Sequence, residues 1–429
     1  MASPARRIAF TILQELEGRG PTLDDRLAQP DAEALDPRER AFLHELLLGS
    51  LRRRGAIDHA LGALSDRPLE RLSPDVRAAL RLGAHQVLHL RVPPHAAVSE
   101  SVALVGTGRT RASGFVNAIL RRLVRDGPPR EVDPVLEPRR WLTTSGSLPA
   151  WLADRWLERL GPETAVARAR ALAEEPPTFF RANPRVADAL ARAEAAGLAP
   201  RPAAVPGAWE AATGRIADLA RDGVLYPQDQ GSQLVAHLAA TPGTLLDACA
   251  APSGKSTLMD DLLGPSVRVI SAEPSSRRLR TLANLVRRWG AARVLVVGAD
   301  ALRPPYRGSS FDGVLLDAPC SGLGTIARHP DLRWRLSAQD LPPLAERQGA
   351  MLASLAPLVK PGGLLVYAVC SVEPEENEGV LAPFLARHPE FAPEALPSWA
   401  RPFAEGPYVR MRPEAHPGDA FFAARLRRA

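Results

Sequence analysis

The sequence of 429 residues predicts a multidomain chain with an N-terminal all-α bundle, a small α/β linker domain and a C-terminal doubly wound α/β domain. Up to about residue 125, apolar residues recur with the period of an amphipathic helix. From residue 224 onward, short apolar runs alternate with helical stretches, as a parallel sheet with crossover helices requires. A chain of this length is expected to hold two or three domains. We place their boundaries at 1–127, 128–223 and 224–429.

Composition narrows the class of protein. The 54 basic and 48 acidic residues give a net charge of +6, and nearly all the basic residues are arginine, since Lys255 and Lys360 are the only lysines. Arginine suits phosphate contacts, so this balance slightly favours a nucleic-acid partner, although many arginines simply cover solvated helix faces. The three cysteines form no C-x-x-C pair, which argues against disulfides and a metal site. Without a signal peptide or an apolar run of membrane-spanning length, we expect a cytoplasmic monomer without a membrane partner.

Capping signals and apolar stripes define the helices of the first domain. Asp36 as N-cap with Pro37 at the first helical position opens one helix, and Ser73-Pro74 opens another. A later helix carries Phe115, Ile119 and Leu120 on one face, with several arginines around it. These stretches predict a small helical bundle.

The middle of the chain predicts a linker and a small mixed α/β unit. Residues 127–149 are rich in proline, glycine and charge, which is typical of a linker. A strand is predicted at 178–183 and a helix at 186–195. We identify no chemistry here: Arg181 and Asn183 could contact RNA, but a sheet edge explains them equally well.

The C-terminal third of the chain predicts a parallel sheet. Its five strands are expected at residues 244–247, 267–272, 294–297, 311–316 and 363–368. Helices are expected between them, such as 276–289 and 344–358. Weak alternation over 421–426 indicates an antiparallel edge strand.

A turn of small residues follows the first of these strands. Gly254-Lys255-Ser256 is similar to part of a P-loop, but Cys249 occupies the position where that motif needs a glycine. A nucleotide triphosphatase is therefore disfavoured. What remains is a strand, a tight turn and a helix whose N-terminus favours a carboxylate. The alternative is a plain strand–helix turn. The candidate cofactor-binding residues of this turn are Cys249, Ala250, Ala251, Pro252, Ser253, Gly254 and Lys255.

Acidic residues close the next three strands, namely Glu273, Asp300 and Asp317. Glu273 follows the turn by about 20 residues, where a carboxylate can hold both hydroxyls of a ribose. A single such acid means little, because Asp commonly caps helices or starts turns. Three in successive crossovers fit an adenosyl ligand with a sulfonium, and no G-x-G-x-x-G motif indicates a dinucleotide. The pattern predicts S-adenosylmethionine as cofactor.

The three cysteines, Cys249, Cys320 and Cys370, all fall at the ends of predicted strands, where the chemistry of a parallel sheet gathers. Cys249 is expected to pack behind the turn as a small buried side chain. Cys320 and Cys370 end adjacent strands. A thiolate that adds to C6 of a cytosine makes C5 nucleophilic towards a methyl sulfonium, and a second residue helps to expel the sulfur. Asp317 is placed to stabilise the charge near ring N3.

Several short motifs together resemble the NOL1/NOP2/Sun family of RNA cytosine-5 methyltransferases. They are Gln228-Asp229 with Ser232-Gln233, Asp317 to Gly322, His329 to Trp334, Tyr367 to Ser371, and Glu375-Glu376-Asn377. The resemblance covers about residue 224 to the C-terminus and is specific in combination. It implies a Rossmann-like methyltransferase domain that binds S-adenosylmethionine.

The same resemblance implies roles for individual residues. Cys370 is the nucleophile and Cys320 assists release of the product. Asp317 joins them as a catalytic residue and also lies beside the cofactor. The stretch from Cys249 to Lys255, with Glu273 and Asp300, surrounds S-adenosylmethionine.

The first 125 residues resemble the NusB-like RNA-binding domain, most clearly at Glu45 to Gly49 and Phe115 to Arg121. A protein-binding or purely scaffolding bundle is the alternative. Joined to the C-terminal motifs, this domain implies methylation of C5 of a cytosine in 16S ribosomal RNA, either free or within an assembling small subunit. Two other readings stay open: a transfer-RNA cytosine-5 methyltransferase, and a non-catalytic RNA-binding or ribosome-assembly factor.

Three positions depart from the family pattern. Ser253 stands where a glycine is usual, Ser275 where a second acid is common, and Val369 where a threonine usually precedes the nucleophile. Each could weaken cofactor affinity or alter the rate. None removes a group that the mechanism requires.

Overall fold

The computed structural model describes residues 2–18, 20–106 and 111–429. The chain forms two compact units. The first consists of Met1–Glu175 with Ile326–Ala338, and the second of Pro176–Thr325 with Gln339–Ala429. Within the described ranges, no helix has the length and hydropathy needed to cross a membrane. The division into three domains stays a prediction.

The first unit is helical, as the apolar periodicity predicts. Its first ten helices are α1 Pro4–Glu15, α2 Leu23–Leu27, α3 Pro30–Glu33, α4 Pro37–Arg52, α5 Arg54–Leu64, α6 Pro74–His89, α7 Pro94–Leu104, α8 Arg111–Asp126, α9 Pro138–Thr143 and α10 Ala150–Ala173. The predicted N-cap of α4 is confirmed, since the Asp36 carboxylate accepts hydrogen bonds from the backbone N–H groups of Arg38 and Glu39.

The segment predicted as a linker is partly helical, so that prediction was wrong for α9. Trp141 and Leu142 on this helix are 3% and 0% exposed. Burial of each large apolar side chain contributes about 1.5–3 kcal/mol. This gain in burial free energy outweighs the low helix propensity of the proline and glycine residues on either side.

The second unit begins with a small antiparallel sheet of strand order β2-β3-β1-β4. Its strands are β1 Thr178–Ala182, β2 Pro200–Pro202, β3 Trp209–Ala211 and β4 Leu225–Pro227, with helices α11 Ala189–Ala195 and α12 Ala217–Arg221. The predicted mixed α/β character is confirmed. The fourth strand lies beyond residue 223, where the sequence placed the end of this part.

The main sheet has the order β11-β12-β13-β9-β8-β5-β6-β7, with β10 paired to β13. Its strands are β5 Gly243–Asp247, β6 Val267–Ala272, β7 Val294–Val297, β8 Phe311–Asp317, β9 Val359–Val369, β10 Phe391–Pro393, β11 Ala404–Glu405, β12 Tyr408–Met411 and β13 Phe421–Arg428. The remaining helices are α13 Gln230–Ala239, α14 Gly254–Leu263, α15 Ser276–Trp289, α16 Leu332–Arg335 in the first unit, α17 Leu341–Leu355 and α18 Glu378–Arg387.

The five predicted parallel strands are confirmed as β5 to β9. The last strand, β13, is antiparallel, as expected, but it is not an edge strand. It pairs with β9 on one side and with β12 and β10 on the other. These outer strands are only two to four residues long, too short to show a period in the sequence.

Both faces of the central strands are buried. Leu245, Leu315 and Val366 pack into one hydrophobic layer. Leu246 and Tyr367 pack into the other. Double burial explains why these strands read as continuous apolar runs. The parallel pairing also brings the carboxyl ends of β5, β8 and β9 to the same edge of the sheet.

Candidate active site

The two cysteines of the adjacent strands β8 and β9 meet at this edge. The backbone N–H of Ala318 donates to the carbonyl of Ala368 at 2.8 Å, so the pairing continues to the start of both loops. The Gly324 N–H then donates to the Cys370 carbonyl at 3.0 Å. A Cβ at Gly324 would lie 2.9 Å from that oxygen, so the close approach requires glycine. The Sγ atoms of Cys320 and Cys370 are 3.3 Å apart.

The surroundings of the two thiols differ. The pKa of Cys320 is raised well above its usual value by its hydrogen bond to Cys370, by burial and by the charges of Cys370 and Glu376. Cys320 therefore keeps its proton at neutral pH. The ammonium group of Lys255, in contrast, interacts electrostatically with Cys370. A positive charge of this kind is what a nucleophilic thiolate needs.

Lys255 and Asp317 form an ion pair beside the cysteines. The Nζ–Oδ2 distance is 2.5 Å, and the side chains are 13% and 25% exposed. Burial opposes the charge of Lys255, but the charges of Asp317, Asp247 and Cys370 outweigh it and raise the pKa of the lysine. The sequence assigned both residues to the cofactor site separately. The structure brings them together as one ion pair.

The predicted cofactor turn lies between β5 and α14. Ser253 is fully buried and has φ of 105°, a backbone conformation that side chains rarely adopt. A Cβ at the next residue, Gly254, would lie 3.1 Å from the Gln228 side chain, so the turn is closely packed. The glycine usual at position 253 is thus explained by backbone geometry.

The three predicted acids lie at the carboxyl ends of β6, β7 and β8. Glu273 is 2% exposed and accepts a hydrogen bond from the Ser275 N–H at 2.9 Å. Its other oxygen lies 3.4 Å from the Arg278 guanidinium. Asp300 accepts from the Leu302 N–H at 2.9 Å. Carboxylate oxygens accept more than one hydrogen bond, so these acids can still receive ribose hydroxyls.

This set of groups fits S-adenosylmethionine. The carboxylates complement a sulfonium and a ribose, and the N-terminus of α14 favours a carboxylate tail. Cys249 lies in the same turn, and burial with the charges of Asp247, Asp317 and Glu273 raises the pKa of its thiol to about 12. Cys249 is therefore a protonated, unreactive thiol at neutral pH. Among the described residues, no cluster of His, Cys, Asp and Glu could hold a metal ion.

Comparisons with known proteins match both ends of the chain to known families. Residues 236–427 match the family described as 16S rRNA methyltransferase RsmB/F, and residues 3–125 match the NusB family. Ribosomal RNA small subunit methyltransferase B of Sodalis glossinidius is 32% identical, over 98% of this chain and 97% of its own. The chain belongs to the RsmB/F family of 16S rRNA methyltransferases.

Two further proteins match this RsmB/F-family chain over almost its whole length. A Mycobacterium tuberculosis protein named as a methyltransferase is 36% identical, over 99% of this chain and 96% of its own. The crystal structure of PH0851 matches with a TM-score of 0.77 and 25% identity, covering 99% of both chains. The protein is an S-adenosylmethionine-dependent rRNA methyltransferase. The reading as a non-catalytic assembly factor is thereby excluded.

Arg181 has a role in this enzyme that the sequence did not reveal. It is 2% exposed and lies on β1, an inner strand of the small sheet, so both the suggested RNA contact and the suggested sheet edge are wrong. Its guanidinium donates to the Gly254 carbonyl at 3.2 Å and pairs with Asp261. Burial lowers the pKa of Arg181 to about 10 although Asp261 opposes this shift. The small sheet thus supports the predicted cofactor turn. An arginine inside an apolar strand was the one available signal.

The family-like motif at residues 329–334 lies in the first unit rather than at the cysteine edge. Arg333 is fully buried and donates to the carbonyls of Ser147, Leu172 and Ile326. The indole N–H of Trp334 donates to the Leu51 carbonyl at 2.8 Å. The motif therefore anchors residues 326–338 in the helical unit.

Relief of the strain at Ser253 gives a testable result. We expect Ser253→Gly to raise the free energy of unfolding by about 1 kcal/mol, because glycine adopts this φ without steric cost. The dissociation constant for S-adenosylmethionine should fall as the side chain leaves the turn. Urea unfolding and calorimetric titration measure the two effects.

Ser309 supplies the matched control. It also has a positive φ, of 51°, but it precedes β8 and so lies at the opposite edge of the sheet. Ser309→Gly should stabilise the fold without changing cofactor affinity. Equal tightening in both variants, or loss of stability in Ser253→Gly, would contradict the interpretation.

Proposed function

We propose that the enzyme methylates C5 of a cytosine in 16S ribosomal RNA through a covalent bond between Cys370 and C6 of the base. The observation that carries this proposal is the pair of thiols 3.3 Å apart at the ends of β8 and β9. A single thiol can act as a nucleophile, but expulsion of that thiol from the base benefits from a second group within reach. The product is 5-methylcytosine.

The first step is attack of the Cys370 thiolate on C6. An Sγ–C6 bond forms, and the electron pair of the C5–C6 double bond becomes available at C5 as N3 accepts a proton. The Lys255 ammonium, which donates to Asp317 at 2.5 Å, supplies a proton that can reach N3. In this proposal Asp317 acts together with Lys255, because a carboxylate alone cannot donate to N3.

S-adenosylmethionine, held by the turn and the acids, supplies the methyl group that C5 accepts. Release then requires that solvent take the C5 proton, that N3 return its proton to the Lys255–Asp317 pair, and that the electron pair of the Sγ–C6 bond leave with the Cys370 sulfur as the C5–C6 double bond re-forms. Cys320 lies within hydrogen-bond distance of the leaving sulfur. Because its pKa is raised, Cys320 is a thiol that can donate to Cys370 as the thiolate forms.

The choice of 16S RNA is supported by the NusB match over residues 3–125 and by relatives named for the small subunit. A transfer-RNA substrate has no comparable support. Whether the substrate is free or within an assembling particle, the basic excess of the chain suits an RNA backbone.

Tritium release tests the position of the methyl group. We expect 16S RNA that carries tritium at C5 of its cytosines to release one tritium for each methyl group transferred. Methylation at C5 replaces that hydrogen, whereas methylation of an amino or ribose group leaves it in place. Bisulfite sequencing of the product then locates the nucleotide. Methyl transfer without tritium release would refute the proposal.

A further inference from the structure

Glu376 is a buried carboxylate next to both cysteine loops, and it is 0% exposed. One of its oxygens accepts hydrogen bonds from the Ser321 N–H at 2.8 Å and from the Gln348 amide at 3.0 Å. The other accepts from the hydroxyls of Ser321 and Ser371. Ser321 directly follows Cys320, and Ser371 directly follows Cys370. One carboxylate therefore holds both loops.

The hydrogen bonds around Glu376 extend to the other side of Cys320. Gln348 on α17 also donates to the carbonyl of Pro319, at 3.0 Å. The hydroxyl of Tyr367 on β9 contacts the Gln348 amide oxygen at 3.1 Å and the Glu376 carbonyl at 2.5 Å. Cys320 is thus held through the residue before it and the residue after it.

The charge of Glu376 is satisfied by these donors. In the described part of the chain, no Lys, Arg or His side chain forms an ion pair with it. A buried carboxylate that relies on four donors needs all of them in place, because each lost partner leaves a charged oxygen unsatisfied. The network therefore resists separation of the two loops.

We propose that Glu376 is the positioning residue that fixes the distance between the Cys320 and Cys370 sulfur atoms. The effect of Glu376 on the distance between the sulfur atoms does not depend on which reaction the enzyme catalyses. The catalytic part of the inference rests on the proposed function: with the loops released, Cys320 no longer reaches the sulfur that must leave the base. Misplacement of a reacting group by about 1 Å can cost on the order of 10²-fold in rate.

Disulfide formation measures the geometry without RNA or cofactor. Treatment with diamide removes one hydrogen from each thiol, forms the Cys320–Cys370 bond and converts diamide to the hydrazine. Wild-type protein should form this bond rapidly, because the sulfur atoms are 3.3 Å apart. In Glu376→Gln an amide N–H₂ group replaces one carboxylate oxygen, and it cannot accept the hydrogen bonds that this oxygen accepted. We therefore expect the disulfide to form at least ~10-fold more slowly. Peptide mass spectrometry identifies the disulfide.

Glu378→Gln is the matched control. Glu378 lies two residues further along, its side chain is 44% exposed, and it pairs with Arg410. This variant should form the disulfide at the wild-type rate. Thermal unfolding shows whether Glu376→Gln folds. If it does not, Ser371→Ala tests the same hydrogen bonds, because it removes one donor and keeps the carboxylate. It should slow the disulfide by a smaller factor.

Kinetics separate positioning from general destabilisation. Glu376→Gln should lower kcat for methylation by about 10²-fold while the KM values for RNA and S-adenosylmethionine stay within about twofold. The inference is overturned if a folded Glu376→Gln protein forms the disulfide at the wild-type rate. If Ser371→Ala is the variant used, the same result in that protein overturns it. Failure of the tritium experiment would remove the proposed chemistry and leave the disulfide result interpretable.

Discussion

Cys370→Ala is expected to abolish methyl transfer to 16S RNA, with a loss in kcat on the order of 10⁶-fold, as for removal of other covalent nucleophiles. Without the Sγ–C6 bond, C5 of the ring stays a poor nucleophile, and no nearby side chain can substitute for the thiolate. The other thiol of the pair keeps its proton, because its pKa is raised. Incorporation of labelled methyl groups into RNA measures the loss.

Binding of S-adenosylmethionine provides the control for Cys370→Ala. Most of the predicted cofactor residues follow β5, β6 and β7, and Asp317 at the end of β8 is unchanged in this variant, so we expect it to bind the cofactor as the wild type does. The expected result is thus full binding without turnover. Residual activity within about tenfold of the wild type would show that Cys370 is not the nucleophile.

Cys320→Ala is expected to have the opposite effect on the covalent intermediate. The first bond still forms, since Cys370 is intact, but the leaving sulfur loses the donor that lies 3.3 Å away. Turnover should fall by roughly 10²–10⁴-fold, the range for loss of a proton-transfer group. RNA covalently attached to the protein should accumulate and appear as a retarded band on a denaturing gel.

A double variant assigns that band to one sulfur. Cys320→Ala combined with Cys370→Ala should give no retarded band, because the attacking atom is absent. A band that persists in the double variant would place the adduct on another residue. No band in Cys320→Ala with active wild-type enzyme would remove Cys320 from the release step.

Local sequence patterns were sufficient for much of the fold. Strands 267–272 and 294–297 and helix 276–289 were predicted at their observed bounds. Each is a contiguous segment with its own period and end signals. The meeting of Cys320 and Cys370 also followed from the sequence, because adjacent parallel strands end at the same edge. Their catalytic roles stay predictions.

Long-range polar contacts could not be predicted in this way. Arg181 and Asp261 are separated by 80 residues, and Glu376 and Ser321 by 55. Neither local stretch indicates its partner: only the apolar strand around Arg181 suggests that this residue is unusual, and Glu376 stands out only as part of a family-like motif. Only the packed structure shows that both side chains are buried.

The anchoring of residues 326–338 has a consequence for synthesis of the chain on the ribosome. Leu51 and Leu172 emerge early, yet Trp334 and Arg333, which bond to their carbonyl groups, are added only after most of the second unit. The helical unit therefore cannot finish folding as the first module to be translated. Residues 326–338 are translated after most of the second unit, so folding of the first unit is completed only after folding of the second can begin.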